Sequence, residues 1–124
     1  KKELYEKFAA VAEKYLPLQR NGKGDYIIVI AKSPAELVEE GNALSHCVGR
    51  MNYDQKMLRE ETLIFFVRKK DAPDVPFVTL EYSLSRKAIL QCYGYHDSTP
   101  EKSVSAFVNR WLPYANRKLE RIAA

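Results

Sequence analysis

Cysteine and histidine, the residues most often recruited for chemistry, are scarce in this chain: two of each among 124 residues. Cys47 and Cys92 are too few for a disulfide framework or a cysteine-only zinc site. Reduced thiols in a cytoplasmic protein are therefore the expectation, because disulfides belong to oxidising compartments. Long apolar runs are missing as well, and crossing a bilayer takes about 20 such residues. No membrane partner is expected, and no leader with a basic start and an apolar centre is visible. The sequence holds no P-loop, dinucleotide fingerprint, G-x-S-x-G or H-E-x-x-H. Nucleotide, hydride and zinc-protease chemistries thus have no support, and no cofactor is expected. There are no internal repeats and no low-complexity tract. The chain opens on Lys1-Lys2 rather than Met, as a fragment of a longer protein would.

The apolar share of 46% and charged share of 29% are those of a folded domain, not of a disordered segment. The length suits one domain with a real core. Twenty basic against sixteen acidic residues give a net charge of +4, a mild excess that concerns solubility first. Its distribution is more informative. Residues 1–24 carry six basic and three acidic groups, and residues 101–124 carry five and two. Residues 33–49 hold Glu36, Glu39 and Glu40 with no Lys or Arg.

Leu4, Phe8, Val11 and Tyr15 recur at helical spacing, which predicts an amphipathic helix over 3–16, stopped by Pro17. Residues 21–24 (NGKG) form a turn, and 26–30 (YIIVI) suit a buried strand. Ser33-Pro34-Ala35-Glu36 opens a helix, with Ser33 as cap and Glu36 reaching back to the cap amide. Gly41 is expected to end or bend that helix near Glu40. A second helical stretch over about 42–59 would place Leu44, Cys47, Val48, Met51 and Leu58 near one face. Strands are expected at 62–67, 77–82 and 88–93, with a polar hairpin at 68–74. In the middle strand Val78, Leu80 and Tyr82 share one face, and Phe77, Thr79 and Glu81 the other. Thr99-Pro100-Glu101 opens a last helix, whose apolar stripe includes Val104, Phe107, Trp111 and Leu119 and which Pro113 should kink. This order predicts an α+β domain, an antiparallel or mixed sheet of about four strands with helices packed on it.

The segment SPAELVEEGNALSHCVG (33–49) resembles the signature of PcfJ-like proteins: an acidic helix, a Glu-Gly pair and a Leu-x-His-Cys-Val-Gly run. The similarity continues through 61–70 (ETLIFFVRKK), 76–81 (PFVTLE), Ile89, Gln91 and Gly94, covering roughly residues 30–112. The resemblance implies an accessory role in conjugative plasmids, phages or related mobile elements, near DNA transfer. It implies no defined reaction. Tyr95-His96-Asp97 stands where the family pattern leads us to expect an Asn-rich segment.

Two surfaces compete for function, and a structural protein–protein module using the amphipathic terminal helices is the third possibility. The first is nucleic-acid binding, to DNA or RNA, or binding to a transfer-machinery protein. Arg68, Lys69 and Lys70 lie beside strands rich in aromatics, and charge with stacking holds single strands. Arg110, Arg117, Lys118 and Arg121 would add a phosphate-binding stripe. The alternative is a small hydrolase or nuclease-like enzyme with a pocket around His46, Cys47, Glu81, Gln91 and His96. A thiol nucleophile needs a base to lower its pKa. Adjacent helical residues point about 100° apart, so His46 is badly placed to serve Cys47. His96, oriented by Asp97 or Glu81, would be that base. Otherwise Cys47 packs in the core and His46 is a surface or hydrogen-bonding group. Thr79, Glu81, Gln91 and Tyr93 form either a polar cleft or a solvated sheet face. His46, Cys47, Cys92 and His96 lack the close spacing of a zinc site, so no metal is expected.

Overall fold

The computed structural model describes residues 1–49 and 51–123. The elements run α1 (Lys2–Lys14), a 3-10 turn (Leu16–Leu18), β1 (Tyr26–Ile30), α2 (Pro34–Leu44), α3 (Tyr53–Leu58), β2 (Thr62–Lys69), β3 (Val78–Ser83), β4 (Ala88–Tyr93), a second 3-10 turn (Tyr95–Asp97) and α4 (Lys102–Ala123). The strands form one sheet in the order β1-β2-β3-β4, every neighbouring pair antiparallel. The α+β class is as expected, and of the two sheet types the antiparallel one holds. Among the described residues no helix is long and apolar enough to cross a membrane.

Alternation along the strands divides the sheet into two unlike faces. Ile28, Ile30, Leu63, Phe65, Val67, Leu80 and Tyr82 share the first and are buried. The ring of Trp111 on α4 closes that face, 4.9 Å from Phe65 and 5.8 Å from Tyr82. Its indole N–H donates to the Leu18 carbonyl at 2.7 Å, which satisfies the one polar atom that burial of a tryptophan strands. α1 joins this core through Phe8, Val11 and Tyr15. The second face carries Phe66, Arg68, Thr79, Glu81 and Gln91. α2 and the segment leading to α3 lie on it.

The Ser33 hydroxyl caps α2 by accepting from the Glu36 amide at 3.2 Å. The Glu36 carboxylate reaches one residue further back than predicted, to the Lys32 amide at 3.0 Å. Gly41 neither ends nor caps α2, which runs on to Leu44 and stops at Ser45 in a left-handed conformation. The predicted helix over 42–59 is replaced by a loop and the short α3. Close packing explains the difference. A Cβ on Gly49 would lie 2.8 Å from Val38 Cα, and one on Gly41 would lie 3.1 Å from the Gly49 nitrogen. The two glycines let the loop backbone rest directly on α2, so Gly49 is spent on contact. β2 also outlasts its predicted end and includes Arg68 and Lys69. α4 begins at Lys102 and runs through Pro113 without a break. Pro113 is exposed, where the carbonyl it leaves without a donor can be hydrated.

The two margins of the sheet differ. Outside β1, Arg20 exchanges both backbone hydrogen bonds with Ile28, at 3.1 and 3.0 Å. The Gln19 side chain accepts from the Ile30 amide at 2.9 Å. Outside β4, no strand is paired among the described residues.

Candidate functional site

Four of the five pocket candidates converge. His46, Cys47, Glu81 and Gln91 line one narrow cleft of about 30 Å³ together with Thr79 and Asp97. Tyr53, Tyr93, Val48 and Ile64 complete its walls. The cleft lies on the polar sheet face, under the loop that follows α2. It is a cleft rather than a solvated face, because Glu81 and Thr79 are buried. The space suits one or two water-sized groups.

Two hydrogen-bonded chains meet at β3. In the first, the Val48 amide donates to His46 Nδ1 at 3.4 Å, which leaves the proton on Nε2. Nε2–H then donates to Thr79 Oγ1 at 2.8 Å, and the Thr79 hydroxyl donates to Glu40 at 3.2 Å. Glu40 also accepts both guanidinium nitrogens of Arg68, at 2.8 and 2.6 Å. The result is a buried fork-to-fork ion pair, the strongest hydrogen-bonded form of a carboxylate and a cation. In the second chain, Glu81 accepts from the Thr62 hydroxyl and the Gln91 amide, both at 2.8 Å. Gln91 spends its other N–H on the Tyr53 hydroxyl at 2.7 Å. Its carbonyl oxygen keeps acceptor capacity.

These placements correct several expectations. Arg68 is buried against Glu40 and over the Phe66 ring, so it is not a free cation at a hairpin tip. The strand continues through it because its side chain has a partner inside. Cys47 is exposed rather than packed in the core, and His46 is buried as a hydrogen-bonding group rather than a surface one. Both His46 nitrogens are engaged, so that ring is not free to deprotonate Cys47. His96 is exposed, its ring 4.2 Å from that of Tyr95. It does not line the cleft, so a Cys47–His96 pair is not assembled there. Cys92 is part-buried, and burial pushes its thiol up to about 11, which suits an inert packed sulfur. Among the described residues no group of three or more His, Cys, Asp or Glu side chains is placed to hold a metal ion.

The basic groups gather elsewhere. A groove of about 450 Å³ is lined by Arg20, Gly22, Lys23, Phe107, Arg110 and Trp111. Arg20 and Lys118 both lie over the Tyr114 ring, at 4.4 and 5.4 Å. Arg110, Tyr114, Arg117, Lys118 and Arg121 follow helical spacing along one side of α4. The Lys70 ammonium bonds to the Gly22 carbonyl, which brings the hairpin to the groove. Lys69 instead sits over Phe77 at 4.9 Å. Among the described residues, none of Arg20, Lys23, Arg110, Arg117, Lys118 and Arg121 forms a salt bridge.

A family model for PcfJ-like protein matches residues 1–108. The chain belongs to the PcfJ-like family. The match takes in α1, which the sequence resemblance left outside its diagnostic stretch. An uncharacterized protein of Listeria innocua, Lin1253/Lin1744, is 37% identical over 94 residues, or 76% of this chain. The PcfJ-like domain spans about a fifth of that relative's length, 20%. No solved structure matches it.

The segments on which the PcfJ-like resemblance rests are those that build the cleft. The loop after α2 brings His46 and Cys47, β3 brings Thr79 and Glu81, and β4 brings Gln91. Sequence reasoning missed Glu40, Tyr53 and Thr62 as members of the buried chains. It also missed Arg20 and Lys23 as groove cations, although the basic surplus of residues 1–24 was a signal for them.

Proposed function

We propose that this PcfJ-like domain is a nucleic-acid-binding accessory module of a mobile genetic element. The observation that supports it is a set of basic groups that form no salt bridge among the described residues: Arg20, Lys23 and Arg110 lining the 450 Å³ groove, with Arg117, Lys118 and Arg121 continuing along α4. Cations without carboxylate partners are free to displace counterions from a phosphate backbone. Tyr114 is covered by Arg20 and Lys118, which favours phosphate contact over base stacking and therefore sequence-tolerant binding. The mobile-element setting is part of this proposal and rests on the resemblance to PcfJ-like proteins alone.

Fluorescence anisotropy with a short labelled duplex and the matching single strand tests this. Affinity should fall with salt, the logarithmic slope being about −0.9 per phosphate contacted on a duplex. Charge reversal of Arg110, Arg117 and Lys118 to Glu should remove binding, while Lys56→Glu beside Tyr53 should not. Binding indifferent to salt or to the triple reversal would sink the proposal.

The convergence of Cys47, Glu81 and Gln91 in one cleft favours a second reading, a small-ligand or hydrolytic site there. It requires that Gln91→Leu abolish turnover of a nucleic-acid or ester substrate while the fold and duplex binding persist. Unchanged turnover rejects it.

A further inference from the structure

The second sheet face is incompletely covered. α2 crosses toward β3 and leaves Ile27 and Val29 of β1 half-buried. They floor a groove of about 400 Å³ together with Phe66, walled by Pro73 and Pro76 of the β2–β3 connection. Val75 between those prolines is 57% exposed. The rim carries the Glu36, Glu39 and Asp74 carboxylates. None of the three forms a salt bridge among the described residues. Lys32, the one rim ammonium, is already bonded to Gln19 and to the Ile30 carbonyl, at 3.0 and 3.3 Å. The Glu40–Arg68 pair sits at the base, locked and internally neutral.

We propose that this groove docks a basic, apolar-anchored peptide segment of a partner protein. Apolar floor and acidic rim together select for that chemistry. Half-exposed Ile27 and Val29 gain by being covered, at roughly 25 cal/mol per Å² of apolar surface removed from water. Three carboxylates around them repel nucleic acid and attract Lys or Arg, adding specificity and encounter rate. Pro73 and Pro76 on the wall have no backbone N–H, so at those two positions the wall offers an incoming chain only carbonyl acceptors and apolar surface. On a molecule with net charge +4, an acidic apolar groove apart from the basic stripe gives two faces of opposite preference. One chain could then hold a basic protein segment and a nucleic acid together.

The test uses the isotopically labelled full chain and an end-blocked Lys-Leu-Lys-Val-Lys peptide, followed by NMR. Saturable amide shifts are expected at Ile27, Val29, Glu36, Glu39 and Asp74. The same peptide with Gln for every Lys should bind at least about tenfold more weakly, a difference of 1.4 kcal/mol. Glu39→Lys with Asp74→Lys, both at exposed sites, should cause a similar loss, and Val29→Gln should weaken both peptides. Shifts confined to other surfaces, equal binding of the Gln peptide, or unaltered binding by the charge-reversed variant would each overturn the proposal. None of these outcomes depends on nucleic-acid binding at the basic stripe.

Discussion

Arg68 shows how one side chain changes meaning with its depth. Its neighbours Lys69 and Lys70 are exposed, while Arg68 is only 7% exposed and its guanidinium is held by both oxygens of Glu40. Removing one member of such a pair strands a buried charge, whereas removing both removes the cost of burying them. Arg68→Met and Glu40→Leu should each cost about 3–5 kcal/mol, and the double variant should recover much of the loss. Urea denaturation of the four proteins checks this, and additive losses would show the two groups acting independently. The same pair ties β2 to α2, and through Thr79 it fixes the ring of His46. Its loss should therefore also blur the cleft. In the sequence, nothing separates Arg68 from the two lysines after it. Only the alternation of β2, extended two residues past its apolar run, turns Arg68 inward and Lys69 outward.

Among the elements, the loop after α2 departs furthest from its sequence expectation. Leu44, Cys47, Val48, Met51 and Leu58 satisfy helical spacing, yet Cys47 and Met51 are exposed and Ser45 is left-handed. Helical periodicity there was outweighed by backbone contact at Gly41 and Gly49, a tertiary effect that no local window contains. Gly49→Ala places a methyl 2.8 Å from Val38 Cα and 3.0 Å from the Leu37 carbonyl, both backbone atoms that cannot yield by rotating. It should destabilise the domain by about 1–3 kcal/mol, read as a lower denaturation midpoint, with shifted His46 ring resonances. A midpoint equal to wild type would mean that the loop can lift off α2 at little cost. Strands were legible because alternation and β-branched runs are local signals: β1 and β4 begin and end where predicted. The cleft was half legible. Thr79, Glu81 and Gln91 are placed together by strand register, which the short connections implied. Glu40, Tyr53 and Thr62 come from three further elements, whose meeting depends on the whole packing.

For the whole molecule, acid stability draws in part on a contact that joins the first helix to the approach to β2. Lys14 and Tyr15 of that region donate to the same Glu60 oxygen, at 2.8 and 2.5 Å. The hydrogen bond from Lys14, then that from Tyr15, holds the Glu60 carboxyl below its ordinary value of 4.5. A depressed carboxyl contributes stability that is complete above its unfolded value and disappears as pH falls through the folded one. Glu60→Gln should therefore be less stable than wild type near neutrality, and the gap should close below about pH 4. Thermal melts of both proteins across that range measure it. A gap that does not change with pH would place the contribution in packing rather than charge. The effect is modest, since Lys14 and Glu60 are partly open to solvent and their attraction is screened.

The unequal sheet margins have a consequence for stoichiometry. β1 already spends the Ile28 amide and carbonyl and the Ile30 amide on residues 19 and 20, while β4 has no strand beyond it among the described residues. Such a sheet has a valence of one. Two copies joining β4 to β4 about a twofold axis would consume both open margins and present no third. For these residues, strand addition between copies would thus terminate at a pair, where a sheet open on both sides would propagate into a fibre.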